Sequence, residues 1–198
     1  MRGDRGVAVI EAAIATPVFI VLLFGALEFG LAFQDYLSLH NAATSGARQG
    51  AVAGADIDAD YQILQAIRSK SALPLSRIVR VVIFHADDVN TPVPTACKNG
   101  TATAGTGAPN YTGACNVYGP ADFNLAASSF QNCTSPTLSR FWCPTGRKTA
   151  ERADRGNGPP DWLGVYIQVR HPWITGLFGS SLTMESTSVV RLEPLSRT

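Results

Sequence analysis

Between Val7 and Leu27 a single charged side chain, Glu11, interrupts an apolar stretch. About 20 residues at 1.5 Å rise cover the roughly 30 Å hydrocarbon core of a bilayer, so the stretch predicts one membrane-crossing helix. Arg2 and Arg5 precede it and no Lys or Arg follows until Arg48. That bias places the N-terminus in the cytoplasm and the bulk of the chain outside. A carboxylate at the depth of Glu11 costs about 2.5–3.5 kcal/mol on insertion scales. It needs a cationic partner, unless it snorkels or stays protonated at the interface.

Gly6-Val7-Ala8-Val9-Ile10-Glu11, Pro17 within the span, Glu28-Phe29-Gly30 at its far end, and Asn41-Ala42-Ala43 with Gly46-Ala47-Arg48 together resemble the TadE-like family. These are the minor pilins or pseudopilins of bacterial tight-adherence (Tad) secretion systems. The closing Arg191-Leu192-Glu193-Pro194 is similar to the end of such proteins. The resemblance is specific over residues 5–54 and loose beyond them. It implies that a prepilin peptidase cuts after Gly6, leaving Val7 as a free amine about 6 Å along the helix from Glu11. In an assembling fibre the acid of one subunit then neutralises the amine of a neighbour and fixes their axial register. The implied partners are other minor pilins or the major pilin and the inner-membrane assembly platform. The implied location is a single pass through the inner membrane, with lipid around the helix and the C-terminal part outside. Many major pilins carry Glu-Tyr after the cut, whereas Ala12 follows Glu11 here, which favours a minor component. A different origin stays open: Gly30-Leu31-Ala32 offers small residues to signal peptidase, which would release a secreted binding domain beginning at Phe33. An uncut, signal-anchored domain beginning at Met1 is the third reading.

With 198 residues and 45% hydrophobic content, there is room for one span and one small outer domain. A formal net charge of +1 gives no reason to expect nucleic acid as a partner. Cys97, Cys115, Cys133 and Cys143 all fall on the outer side of the span, where disulfides persist. Three pairings are open to four cysteines. Short loops close first, which favours Cys97 with Cys115 and Cys133 with Cys143. No Cys-x-x-Cys pair or suitably spaced His supports zinc, so no metal and no cofactor is expected.

Past the span the chain stays helical to Ala53, with small residues every four positions at Ala42, Gly46, Gly50 and Gly54. The stripe suits close approach of another helix, making Gly46 and Gly50 assembly candidates, or it marks a helix fraying near Gly50. Glu28 falls about 25 Å beyond Glu11, near the outer membrane interface, either solvated or touching a partner pilin. Asp56-Ile57-Asp58-Ala59-Asp60 opens a helix predicted to reach Ala72, with the acids as its N-terminal charge. The D-x-D-x-D spacing fails as a calcium loop, since Tyr61 and Ile67 stand where glycine and a bidentate acid are required.

Three strands are expected, over 78–84, around the alternating Val165-Tyr166-Ile167-Gln168-Val169-Arg170, and over 182–192. The last two form a hairpin whose apolar connection, Pro172 to Gly179, either binds something, lies on a membrane, or folds Trp173 and Phe178 back over the sheet. Between the first two strands an insert, residues 86–161, is rich in Gly, Pro, Ser, Thr and Asn and holds every cysteine. It is too poor in aliphatic residues to build much core, and Phe141, Trp142 and Arg147 are its candidate surface anchors by residue type. N-x-S/T matches at Asn99, Asn110 and Asn132 are attributed to composition, and Arg2-Gly3-Asp4 to chance. His40, His85 and His171 lie in separate elements, so no catalytic constellation follows from spacing and no enzymatic activity is expected.

The whole therefore reads as α+β. Residues 1–6 form a cytoplasmic leader, 7–54 a transmembrane and stalk helix, and 55–198 an outer domain. In that domain a helix packs on a short antiparallel sheet carrying a disulfide-containing loop insert.

Overall fold

The computed structural model describes residues 4–99, 115–133, 138–149 and 159–193. Arg2, Asn110 and Pro194, singled out above, lie outside them. Helix α1 (Asp4–Ala53) is unbroken for 50 residues, about 75 Å at the α-helical rise. Its first half stands clear, with Val9, Ile14, Val18 and Leu22 all exposed. In its second half Leu39, Ala42, Ala43, Ala47 and Ala51 are buried. Gly54, at φ +54°, ends the helix by donating its N–H to Gly50 O at 2.9 Å, a left-handed position that suits a residue without Cβ.

After α2 (Ala59–Lys70) the chain enters β1 (Ile78–Ala86), a short α3 (Thr95–Asn99), β2 (Cys115–Tyr118), β3 (Ser139–Arg140), β4 (Trp162–Pro172) and β5 (Ser181–Arg191). One antiparallel sheet results, in the order β3-β2-β1-β4-β5. The three expected strands are there, and β4 and β5 form the long hairpin. The insert supplies the other two, because Cys115-Asn116-Val117-Tyr118 pairs with β1 from Phe84 to Val81.

One face of the sheet packs on the helices. Val81, Ile83, Leu163, Val165, Ile167 and Met184 join Ile63, Leu64 and Ile67 of α2 and the buried stripe of α1 in the main core. The helix in contact with β4 and β5 is α1, while α2 lies beside α1 and meets the short turns of the insert. Close approach explains the stripe. A Cβ on Gly46 would sit 2.7 Å from Ile67 Cγ1, and one on Gly50 2.9 Å from Leu163 and 3.0 Å from Ile63. The helix does not fray at Gly50; it is pressed there against its own domain.

The opposite face carries Val82, Phe84, Ala86 and Tyr166, covered by α3 and the Cys97–Cys115 disulfide. Tyr166 is therefore buried rather than on a wet face, with α3's Lys98 over its ring at 5.5 Å and bonded to Glu185 of β5. Both expected disulfides form, Cys97–Cys115 and Cys133–Cys143.

The insert corrects two expectations. It does contribute core, but through Tyr118, Phe123, Phe130 and Trp142, aromatic side chains that bury large area from few positions. Trp142 and Arg147 are not surface anchors: Trp142 is 7% exposed and Arg147 fully buried, its guanidinium carbon 4.4 Å from the Trp142 ring centre. Nor does Asp60 serve as a solvated helix-end charge. Asp58 is the residue preceding α2 and makes no side-chain cap, while Asp60 is fully buried. Its carboxylate accepts bonds from Arg147 Nη2, Asn116 Nδ2 and Tyr118 Oη, with Arg140 Nε at 3.5 Å. Burial pushes that carboxyl upward, but the two guanidinium charges and the Tyr118 hydroxyl prevail and hold it below the usual carboxylate range. Burial and the same carboxylate drive the Tyr118 hydroxyl well above its ordinary value.

Candidate functional site

The free half of α1 is a long exposed apolar surface, and its geometry begins with Glu11. Positions 11, 14, 15, 18, 19 and 22 recur at helical spacing, so Glu11, Ile14, Ala15, Val18, Phe19 and Leu22 line one shallow groove along the rod. Val7 lies one turn before Glu11 on the same face. The window of highest hydropathy in this helix is wholly exposed, which no soluble core helix would be. Pro17 sits within it without breaking it, and the Thr16 hydroxyl donates to Ala12 O at 2.6 Å. Gly6 is helical, exposed and open, with nothing within 4 Å of the place a Cβ would take.

At the other end of this surface, Glu28 is neither solvated nor turned toward another molecule. It is 2% exposed and accepts hydrogen bonds from Ile174 N at 3.1 Å, Thr175 N at 2.5 Å and Thr175 Oγ1 at 2.8 Å. These donors belong to the β4–β5 connection. Two turns further, on the same helix face, Asp35 accepts from Arg77 Nη1 at 2.8 Å and meets His171 Nδ1 at 2.6 Å. Two acids seven residues apart thus fasten the sheet-bearing domain along the helix. Asp35 carries no motif, and only its spacing from Glu28 hints at the role.

Aromatic packing reinforces the junction. The Phe29 ring lies 5.8 Å from that of Trp173 and 4.9 Å from that of Phe178, and Trp173 stacks edge-on against His171 at 5.1 Å. The apolar connection has therefore folded back, but onto α1 rather than over the sheet, leaving Ile174 76% exposed and Leu177 52% exposed. Gly46 and Gly50, candidates for contact with another subunit, are enclosed by α2 and β4 of their own chain.

The histidines do not converge. His40 faces Ser186, His85 pairs with Asp161 at 3.4 Å, and His171 belongs to the Asp35 junction. Among the described residues no group of three His, Cys, Asp or Glu is placed to hold a metal ion.

An exposed apolar rod bearing one acid near its start is fused without interruption to a small α+β domain. Residues 6–48 match the family model for TadE-like protein. The match begins at Gly6 and ends within the buried part of α1, so the TadE-like segment takes in Glu11, Pro17, Glu28, Asp35 and Gly46. Comparison with curated proteins and with solved structures returned no match. The length and apolar character of the matched segment fit single-pass anchoring in a membrane. The remaining residues, the sheet and insert, lie beyond the matched span.

Proposed function

We propose that this chain is a minor pilin or pseudopilin of a tight-adherence pilus or secretion system. It is cut after Gly6 by a prepilin peptidase and assembles through the free half of α1. The observation that carries this reading is the coincidence of the TadE-like match with a helix whose apolar first half is left exposed by the described residues. Glu11 is then tolerated in lipid because the amine of Val7 on a neighbouring subunit balances it, which also sets the stagger between helices. The role is structural and not enzymatic. Its partners are the peptidase, other pilins and the inner-membrane platform, and the domain projects to the outer side.

Release by signal peptidase at Ala32 would cut α1 mid-helix and sever Glu28 from the loop it binds, which favours the pilin reading over a secreted domain. N-terminal sequencing of the chain from its native membrane tests all three origins. Val7 as the first residue supports the proposal, and Phe33 or Met1 overturns it.

A further inference from the structure

We infer that the β4–β5 connection, Trp173 to Ser180, is a second membrane contact: it seats in the outer lipid interface beside α1, with Ile174, Leu177 and Phe178 as the inserted side chains. The inference rests on α1 crossing a membrane, not on the pilus reading.

Height comes first. The apolar span ends at Leu27, and the loop is bound to the next residue, Glu28, so it lies level with the end of the hydrocarbon-length stretch. Phe178 reaches the helix from the side. Its ring packs on Phe29, and its tip is 3.8 Å from where a Cβ of Gly25 would stand, about half a turn inside the span. The loop's apolar surface is thus continuous with the lipid-facing surface of the helix.

Polarity agrees. A backbone entering an apolar zone must satisfy its donors internally. Five of the eight N–H groups from Trp173 to Ser180 do so here: Trp173 N donates to Ser180 O, Ile174 N and Thr175 N to Glu28, Leu177 N to the Thr175 hydroxyl, and Gly179 N to Gly176 O. Gly176 and Gly179, at φ +73° and +101°, make the tight reversal that permits this. No side chain from Pro172 to Ser180 is charged, and Trp173 has the size and polar edge typical of the membrane–water boundary. Glu28 accordingly works as an internal acceptor that organises a lipid-facing loop. The depth to which apolar faces of interfacial helices sink, about 5–10 Å into the headgroup–acyl boundary, is the depth expected of these side chains.

The test uses the full chain, reconstituted sparsely in phosphatidylcholine–phosphatidylglycerol vesicles whose acyl chains are brominated either near the carbonyl or near the methyl end. Ile174→Trp, at an exposed position, adds one reporter whose emission is read as the difference from the parent chain. Ile14→Trp reports on the span. The expected result is that the added Ile174→Trp emission is blue-shifted, quenched chiefly by bromines near the carbonyl end, and shielded from aqueous iodide, while Ile14→Trp is quenched in the bilayer interior. Quenching of Ile174→Trp by iodide, with Ile14→Trp still quenched by lipid, overturns the inference and leaves the anchoring intact. Shielding from iodide that grows with chain density, without bromine quenching, means that a second copy covers the loop and also overturns it. Failure of lipid quenching at both positions overturns the membrane crossing and the loop contact together.

Discussion

Replacing Asp60 with Asn keeps the size of the side chain while removing the negative charge that Arg147 and Arg140 share in a fully buried site. The amide nitrogen then confronts donors, and two guanidinium groups lose their counter-charge without access to water. Breaking a buried ion pair by removing one partner costs about 3–5 kcal/mol. For a chain of this size that lowers Tm by roughly 6–20 °C. Thermal unfolding of the full chain in detergent, followed by near-ultraviolet circular dichroism with the disulfides intact, measures it. The pH dependence adds a sign. Because the folded-state carboxyl of Asp60 is held below its unfolded value, its contribution is complete above the unfolded pKa of about 3.9 and is lost as pH falls from there through the folded-state pKa. The gap between wild type and Asp60→Asn should therefore be constant at neutral pH and narrow only in acid. A gap below about 1 kcal/mol at pH 7, or one that acid leaves untouched, would refute the reasoning.

Other substitutions probe the packing and the rod. Gly164→Ala places a Cβ within 2.1 Å of the Phe84 ring on the facing strand, so stability should fall by about 1–3 kcal/mol in the same melt. Gly50→Leu should destabilise the sheet-bearing domain itself, because Leu163 and Ile63 close on that position, and a wild-type melt would count against it. Replacing Cys97 and Cys115 together by Ala removes a link across 18 residues, worth about 3 kcal/mol, seen as an earlier chemical-denaturation midpoint. Glu11→Ala should leave membrane insertion intact or improved yet weaken co-purification with partner pilins; undiminished recovery of those partners would defeat the register idea.

How much of this was legible in the chain follows from what each feature depends on. The span, the continuation of α1 and strands β1, β4 and β5 rest on local periodicity, which a sequence displays. The disulfide pairing found is the one that short loops favour among the three open to four cysteines. The charged cluster depends on residues far apart: Asp60 meets Arg140 and Arg147 only after the insert has threaded back across α2, and no local pattern encodes that. A signal did exist. Asp60 precedes Ile63, Leu64 and Ile67 by three, four and seven positions, which places it on the buried face of α2, where an acid requires a partner. Strands β2 and β3 escaped notice because four and two residues are too short to display alternation, and Arg147 because a guanidinium in a polar, glycine-rich segment looks solvated until its counter-charge is located. At the candidate site, Glu11 and the small-residue stripe were visible, whereas the partner of Glu28 was not, since it sits 146 residues downstream.

Helix α1 passes from the apolar half into the core of the sheet-bearing domain with no joint, and Glu28 and Asp35 brace it from the side. Rod and head consequently move as one lever. A twist or an axial pull applied to the free half of α1 would be carried into the sheet, because no hinge interrupts the helix between them.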